Sequence, residues 1–277
     1  MALPRNARGG YTIGGVKYPS VTEILSAGIP KPALTSWAAR SVAEAAVLHP
    51  NEWIPIAKRD QQAAIDLLKG SPWRERDKGA SLGSQLHRAM ECDTLGLPMP
   101  EMDETVSAMF ERARLWSQLW TWELAEATIL NQTIGYAGTL DGVIKIKVPL
   151  GRFPAGSRLM IDFKTNKKGR QGHGLYPECS WQMAGYDHAE VICLPDGSQV
   201  PMIACDGAVA LWVRADECHL YEVEIGPPAW RAFLAAFEVA KVVWDNTTHW
   251  IGNEIMMPED AAYEAAGWSF GPDGWEP

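Results

Sequence analysis

Arg158-Leu-Met-Ile-Asp-Phe-Lys-Thr165 decides how the rest of the chain is read. It is short, its apolar residues fall on both parities, and it carries a carboxylate and an ammonium two positions apart. Side chains along a strand alternate between two faces, so an apolar run of this kind points to a strand covered on both sides. Asp162 and Lys164 then share one face, and Phe163 turns to the other, into the core. An idle charged pair in a central strand is costly, which favours a working role over a surface ion pair.

Upstream, Glu126-Ala-Thr-Ile-Leu-Asn131 and Tyr136-Ala-Gly-Thr-Leu-Asp-Gly-Val-Ile-Lys-Ile146 read as two strands joined by a Gly-containing turn. Asp141 is placed at the end of the strand that begins at Ala137. Pro149-Leu-Gly-Arg-Phe-Pro-Ala-Gly-Ser157 reads as a loop that spans the distance to Arg158. If these strands are neighbours, Asp141, Asp162 and Lys164 converge. Downstream follow a helix over Pro177–Ile192, strands over Ala208–Val213 and His219–Ile225, and a helix over Ala229–Trp244 after the Pro227-Pro228 pair.

The N-terminal part reads as helical. Ser20 is an N-cap with Glu23 three residues on. Further helices are expected over Leu34–Leu48, Pro55–Lys69, Arg76–Cys92 and Glu101–Trp122. The expected organisation is a helical part over 1–120 packed on a core over 121–250, with an acidic, loose tail over 251–277, in one domain overall. The fold class is α/β (α+β), with a central mixed sheet flanked by helices.

Bulk properties exclude several classes. No run of eighteen apolar residues is present to span a bilayer, and the N-terminus has no apolar stretch of the kind a secretory leader needs. Five cysteines with no Cys-x-x-Cys pair argue against a disulfide framework and for a reducing, cytoplasmic setting. The net charge of −9 does not by itself suggest nucleic acid. Six acids and no Lys or Arg lie between Gly252 and Pro277, however, so the acidity is concentrated there. A locally basic cleft elsewhere sets the field that a phosphate backbone meets.

Two carboxylates held close together repel unless a cation lies between them. Hard oxygen ligands favour Mg²⁺ or Mn²⁺. A divalent cation polarises phosphoryl oxygens and acidifies water, and a neighbouring Lys steadies developing charge. That equipment suits phosphodiester hydrolysis. His87 falls on a helix as a candidate further ligand, and Gln182 and Tyr186 share a helix face at i, i+4.

The ordered set Gly83/His87, Glu126, Gly138-Thr-Leu-Asp-Gly142, Asp162-Phe-Lys-Thr165 and Gln182/Tyr186 resembles the RecB-like branch of the PD-(D/E)XK nuclease superfamily. Tyr18-Pro-Ser-Val-Thr-Glu-Ile-Leu25 and Pro32-Ala-Leu-Thr-Ser-Trp37 also resemble phage-encoded exonucleases of that branch, so the resemblance spans roughly residues 11–245. It implies a restriction-endonuclease-like core with Asp141, Asp162 and Lys164 as the catalytic set. It implies a metal held by His87, Asp141, Asp162 and the Phe163 backbone carbonyl, with Lys164 positioning or activating water. Glu126 is assigned to a second metal or to the DNA end. Gln182 and Tyr186 are assigned to the DNA strand, and the basic stretch with Lys167, Lys168 and Arg170 is read as phosphate-contacting.

The expected activity is a Mg²⁺- or Mn²⁺-dependent exonuclease on linear double-stranded DNA ends, in phage or bacterial recombination or replication. The expected setting is the cytoplasm, the host's if the chain is phage-encoded. A single-strand annealing protein is a candidate partner, and oligomers are compatible with the resemblance. No iron–sulfur cluster is expected, because relatives that carry one place a Cys before the motif His and none precedes His87. A non-catalytic DNA-end-binding recombination scaffold and a structure-selective endonuclease remain as alternatives.

Overall fold

The stretch from Arg158 forms β5 (Arg158–Lys164), an interior strand of a seven-stranded mixed sheet in this computed structural model. Residues 3–6, 9–165, 174–244, 265–272 and 274–276 are described. The other strands of the sheet are β3 (Trp120–Asn131), β4 (Tyr136–Ile146), β6 (Val191–Cys193), β7 (Gln199–Pro201), β8 (Gly207–Val213) and β9 (Cys218–Val223). Their order is β7-β6-β3-β4-β5-β8-β9, and β5 with β8 is the parallel pair among otherwise antiparallel neighbours.

Alternation along β5 builds two cores. Leu159, Ile161 and Phe163 face Leu86, Met90, Met109 and Phe110 on α5 (Ser71–Leu95) and α6 (Glu104–Ser117). Met160 points the other way, into a cluster with α1 (Val21–Gly28), α7 (Pro177–Asp187) and α8 (Pro227–Trp244). Both faces of the central strands are therefore covered, as the apolar run of β5 requires. A short hairpin, β1 (Tyr11–Ile13) with β2 (Val16–Tyr18), precedes α1. Ser20 caps α1 with the reciprocal box: its hydroxyl accepts from the Glu23 N–H at 3.2 Å, and the Glu23 carboxylate accepts from the Ser20 N–H at 2.8 Å. The Ala137 N–H donates to the Pro19 carbonyl, so this cap is tied to β4.

Several expected helices have different bounds; the one read over Arg76–Cys92 runs from Ser71 to Leu95. The stretch read as one helix over Pro55–Lys69 is two, α3 (Pro50–Ala57) and α4 (Gln61–Lys69), because Asp60 accepts from the Ala63 N–H and starts a new helix. The helix read to Trp122 ends at Ser117; Trp120 to Trp122 pair with Ile146 to Ile144 and open β3 instead. The helix read to Ile192 ends at Asp187, because the Glu190 N–H donates to the Leu130 carbonyl and the chain enters β6. The long α2 (Pro32–Leu48) fits its expectation.

Residues 1–240 form one compact unit and residues 241–277 a second. Within the stretch read as a loose tail, β10 (Ser269–Gly271) and β11 (Gly274–Glu276) pair as an antiparallel hairpin. Composition suggested a tail, but the Gly271-Pro-Asp-Gly274 turn signal was present in the sequence. No described helix is long and apolar enough to cross a membrane.

The contact of α1 with α8 depends on a glycine. A Cβ on Gly28 would lie 2.0 Å from the Ala236 carbonyl oxygen, with backbone on both sides of the clash. Neither helix can yield by turning a side chain. Gly28→Ala is expected to lower stability by about 1–3 kcal/mol or more, read as a lower urea midpoint. An unchanged midpoint would show that the two helices separate freely.

Candidate active site

The site is built where β4 and β5 part. Their pairing runs from Lys145 with Arg158 to Gly142 with Ile161. Beyond that pair the Asp141 carboxylate enters the gap, and its Oδ2 accepts from the Phe163 N–H at 2.7 Å. Asp141 is thus well inside β4, not at a strand end as read from the sequence. The strand continues to Ile146 because Val143, Ile144 and Ile146 find buried places.

Neighbouring β3 is irregular at the same level. Its register with β4 shifts between Trp122 and Leu124, a bulge of the kind that re-aims side chains beside functional sites. Two residues on, Glu126 adopts φ +44°, a left-handed backbone that a side-chain-bearing residue rarely takes. Such strain costs on the order of 1–3 kcal/mol and persists only where surrounding structure enforces it. Gly142 is needed here, since a Cβ would lie 2.4 Å from the Trp122 ring and 2.7 Å from the Leu124 carbonyl.

Helix α5 brings His87 over this gap. Its approach is helped by Gly83, one turn before, whose Cβ would lie only 3.1 Å from Thr165 Oγ1. His87 Nδ1 lies 3.4 Å from Asp141 Oδ1 and 3.5 Å from Glu126 Oε1. His87 Nε2 lies 3.3 Å from the Phe163 carbonyl oxygen. The three ligand atoms of His87, Glu126 and Asp141 fall within 4.8 Å of one another. They open onto a cavity with room for about one water-sized sphere, lined also by Glu91, Trp122 and Phe163.

Charges in this trio are interdependent. Burial opposes the charged form of His87, but Asp141 and Glu126 outweigh it and hold the imidazole pKa well above its usual value. Burial likewise works against the Asp141 carboxylate, yet His87, Lys164 and the Phe163 N–H bring its pKa below the ordinary range. Burial pushes Glu126 up, against the pull of His87. An imidazolium offsets one of the two carboxylate charges; a divalent cation beside a neutral imidazole would offset both. One imidazole nitrogen and two carboxylate oxygens fit a hard cation that keeps positions open for water and substrate oxygens.

On the α7-facing side of β5, Lys164 Nζ lies 2.5 Å from Asp162 Oδ2 and donates to Gln182 Oε1 at 3.2 Å, close enough for its charge to act on Asp141. Asp162 is 1% exposed. Burial raises its pKa, with Lys164 opposing and Asp141 adding to the rise. Burial disfavours the Lys164 ammonium, but Asp162 and Asp141 more than compensate and raise its pKa. Cys179, at 4.0 Å from Asp162, is pushed up to about 12 by burial, so its thiol is inert near neutrality.

No protein-family model matches this chain, and no curated protein matches it.

His87, Asp141 and Glu126 come together. Asp162, expected beside them as a ligand, is bound to Lys164 and Gln182, because its position on β5 turns it away from Phe163 toward α7. The Phe163 carbonyl, also expected as a ligand, faces His87 Nε2, so it orients the imidazole. Tyr186, expected on the DNA strand, is 2% exposed and packed in the interior. Gln182 is engaged with Asp162, Lys164 and Tyr186. Lys167, Lys168 and Arg170 lie outside the described residues.

Sequence reasoning missed Glu91 and Arg214. Glu91 lines the cavity one helical turn past His87 and pairs with Arg88 at 2.6 Å; the i, i+4 spacing was the available signal. The Arg214 guanidinium donates to the Thr165 carbonyl at 3.0 Å and holds the end of β5. No local signal marks it, since the contact joins strand ends 49 residues apart.

Proposed function

We propose that this chain is a metal-dependent DNA nuclease that hydrolyses phosphodiester bonds, acting as an exonuclease on DNA ends. One observation carries the reading: a trio of one imidazole and two carboxylates, His87, Glu126 and Asp141, joined through the two backbone groups of Phe163 to the strand that holds Asp162 and Lys164. The motif order noted in the sequence supports the choice of DNA as substrate and of ends as the point of attack.

A bound Mg²⁺ or Mn²⁺ supplies Lewis-acid polarisation of a phosphoryl oxygen and a more acidic water. The chain's own residues do the rest. Asp141 and Glu126 provide anionic oxygens, and Phe163 fixes both Asp141 and the imidazole of His87. Lys164, paired with Asp162 and close enough to act on the Asp141 charge, would steady negative charge that develops on the scissile phosphate.

The test is digestion of 5′-labelled linear and closed circular DNA with Mg²⁺, Mn²⁺ or EDTA. Linear DNA is expected to shorten with either cation, to survive in EDTA, and closed circles to persist. Binding without cleavage under every metal would overturn the nuclease reading in favour of a DNA-end scaffold. Cleavage of closed circles would replace the exonuclease with an endonuclease.

A further inference from the structure

We propose that Gln182 is a positioning residue that aims Lys164 and Asp162, and that Tyr186 and Gly138 form the seat that holds Gln182 in place. The inference rests on the nuclease reading, and it replaces the DNA contact that the sequence suggested for Gln182 and Tyr186.

The primary amide has two N–H donors and one carbonyl acceptor, and each has a use here. Nε2 donates to Asp162 Oδ1 at 3.2 Å and to the Tyr186 hydroxyl at 2.9 Å. Oε1 accepts from Lys164 Nζ at 3.2 Å. A flipped amide would set its oxygen against a carboxylate and its NH₂ against an ammonium, so the network fixes its orientation. A phosphate oxygen needs a donor, and both N–H groups of Gln182 already have acceptors. Contact with DNA would break one of them.

The partners show why such a device is useful. Lysine has a flexible four-carbon stem and a point charge, so a single bond to Asp162 leaves the direction of Nζ loosely set. A second acceptor on a different element defines it. Gln182 and Tyr186 lie one turn apart on α7, so the tyrosine hydroxyl braces the amide from its own helix. Tyr186 is held in turn, since its ring lies over Gly138 of β4. A Cβ at Gly138 would be 2.7 Å from Tyr186 Cε1. The glycine of the Gly138-Thr-Leu-Asp-Gly142 motif is thereby explained by packing under this ring.

The decisive variant is Gln182→Met, which keeps length and removes the polar amide. Outer partners of this kind typically contribute about 10–100-fold to activity. The expected result is a fall of that size in kcat, with KM and metal-free DNA affinity in EDTA at fixed salt unchanged. A raised KM and weakened DNA binding with kcat retained would identify a DNA contact and overturn the proposal, as would no change at all. Tyr186→Phe leaves the ring on Gly138 and removes one acceptor; a smaller fall in kcat is expected, and it carries the kinetic test if Gln182→Met does not fold. A second readout needs no catalysis. Reductive methylation of the metal-free protein, quantified by peptide mass spectrometry, should label Lys164 faster in Gln182→Met and leave the other lysines unchanged. Unchanged labelling overturns the positioning role. If wild type neither binds nor cleaves DNA, the nuclease reading fails, and the labelling result decides the positioning role separately.

Discussion

Lys164→Ala is expected to slow metal-dependent cleavage by about 10²–10⁴-fold, the range for a group that acts on charge or protons in the transition state. KM should stay close to wild type, because the interaction strengthens only as charge develops. Mn²⁺ binding should persist, since Lys164 is not part of the His87, Glu126 and Asp141 trio. Stability requires separate attention. Asp162 is buried and loses its nearest cation, and an orphaned buried charge costs about 3–5 kcal/mol. Burial already raises the Asp162 pKa, so loss of Lys164 drives the carboxyl toward its neutral form and limits that cost. Gln182 still donates to Asp162 Oδ1. Single-turnover cleavage measured beside a urea titration separates the two effects. Lys164→Arg keeps the charge and changes its shape; it should recover stability more than rate, because a planar fork does not reproduce a point donor. Wild-type cleavage by folded Lys164→Ala would remove Lys164 from the chemistry.

Strand geometry at β5 was legible from eight residues, because period-two alternation is a local property. It correctly put Asp162 and Lys164 on one face and Phe163 in the core. It did not show that Asp162 pairs with Lys164 and Gln182, while its charge still couples to Asp141 and His87. The sequence orders side chains along one strand but is silent on which helix covers each face. Asp162 meets Gln182 on α7, whereas Asp141, reaching into the gap between β4 and β5, meets His87 on α5. The strained backbone at Glu126 was equally unreadable: nothing in Leu124-Ala-Glu-Ala127 favours a left-handed conformation, and only the sheet's bulge imposes it. Short β6 and β7 were lost for a related reason, since three-residue strands show no period; β6 exists because β3 offers it an edge, and β7 because β6 does. Gly138 and Gly142 could be noticed as glycines, but their reasons are the Tyr186 and Trp122 rings, 48 and 20 positions away.

Asp141→Asn is expected to remove cation binding and cleavage together, more completely than the about 10–100-fold loss that follows removal of an outer partner. The argument turns on the two jobs of this carboxylate. Oδ2 accepts from the Phe163 N–H while Oδ1 faces His87 and Glu126. An amide has one oxygen for these two tasks. If that oxygen keeps the Phe163 bond, the NH₂ points at the place a cation would take. If it turns to the cation, a donor faces the Phe163 N–H, and a buried donor without a partner costs about 1–3 kcal/mol. The first arrangement keeps the fold and gives up the ligand, so Asn should fold nearly as well as Asp. Asp141→Ala leaves the Phe163 N–H without an acceptor in every arrangement, so it should lose both stability and binding. Titration calorimetry with Mn²⁺ on the two variants, beside urea midpoints, distinguishes these outcomes. Wild-type Mn²⁺ affinity in Asp141→Asn would mean that His87, Glu126 and Asp141 form a structural ion cluster and that any cation is held elsewhere.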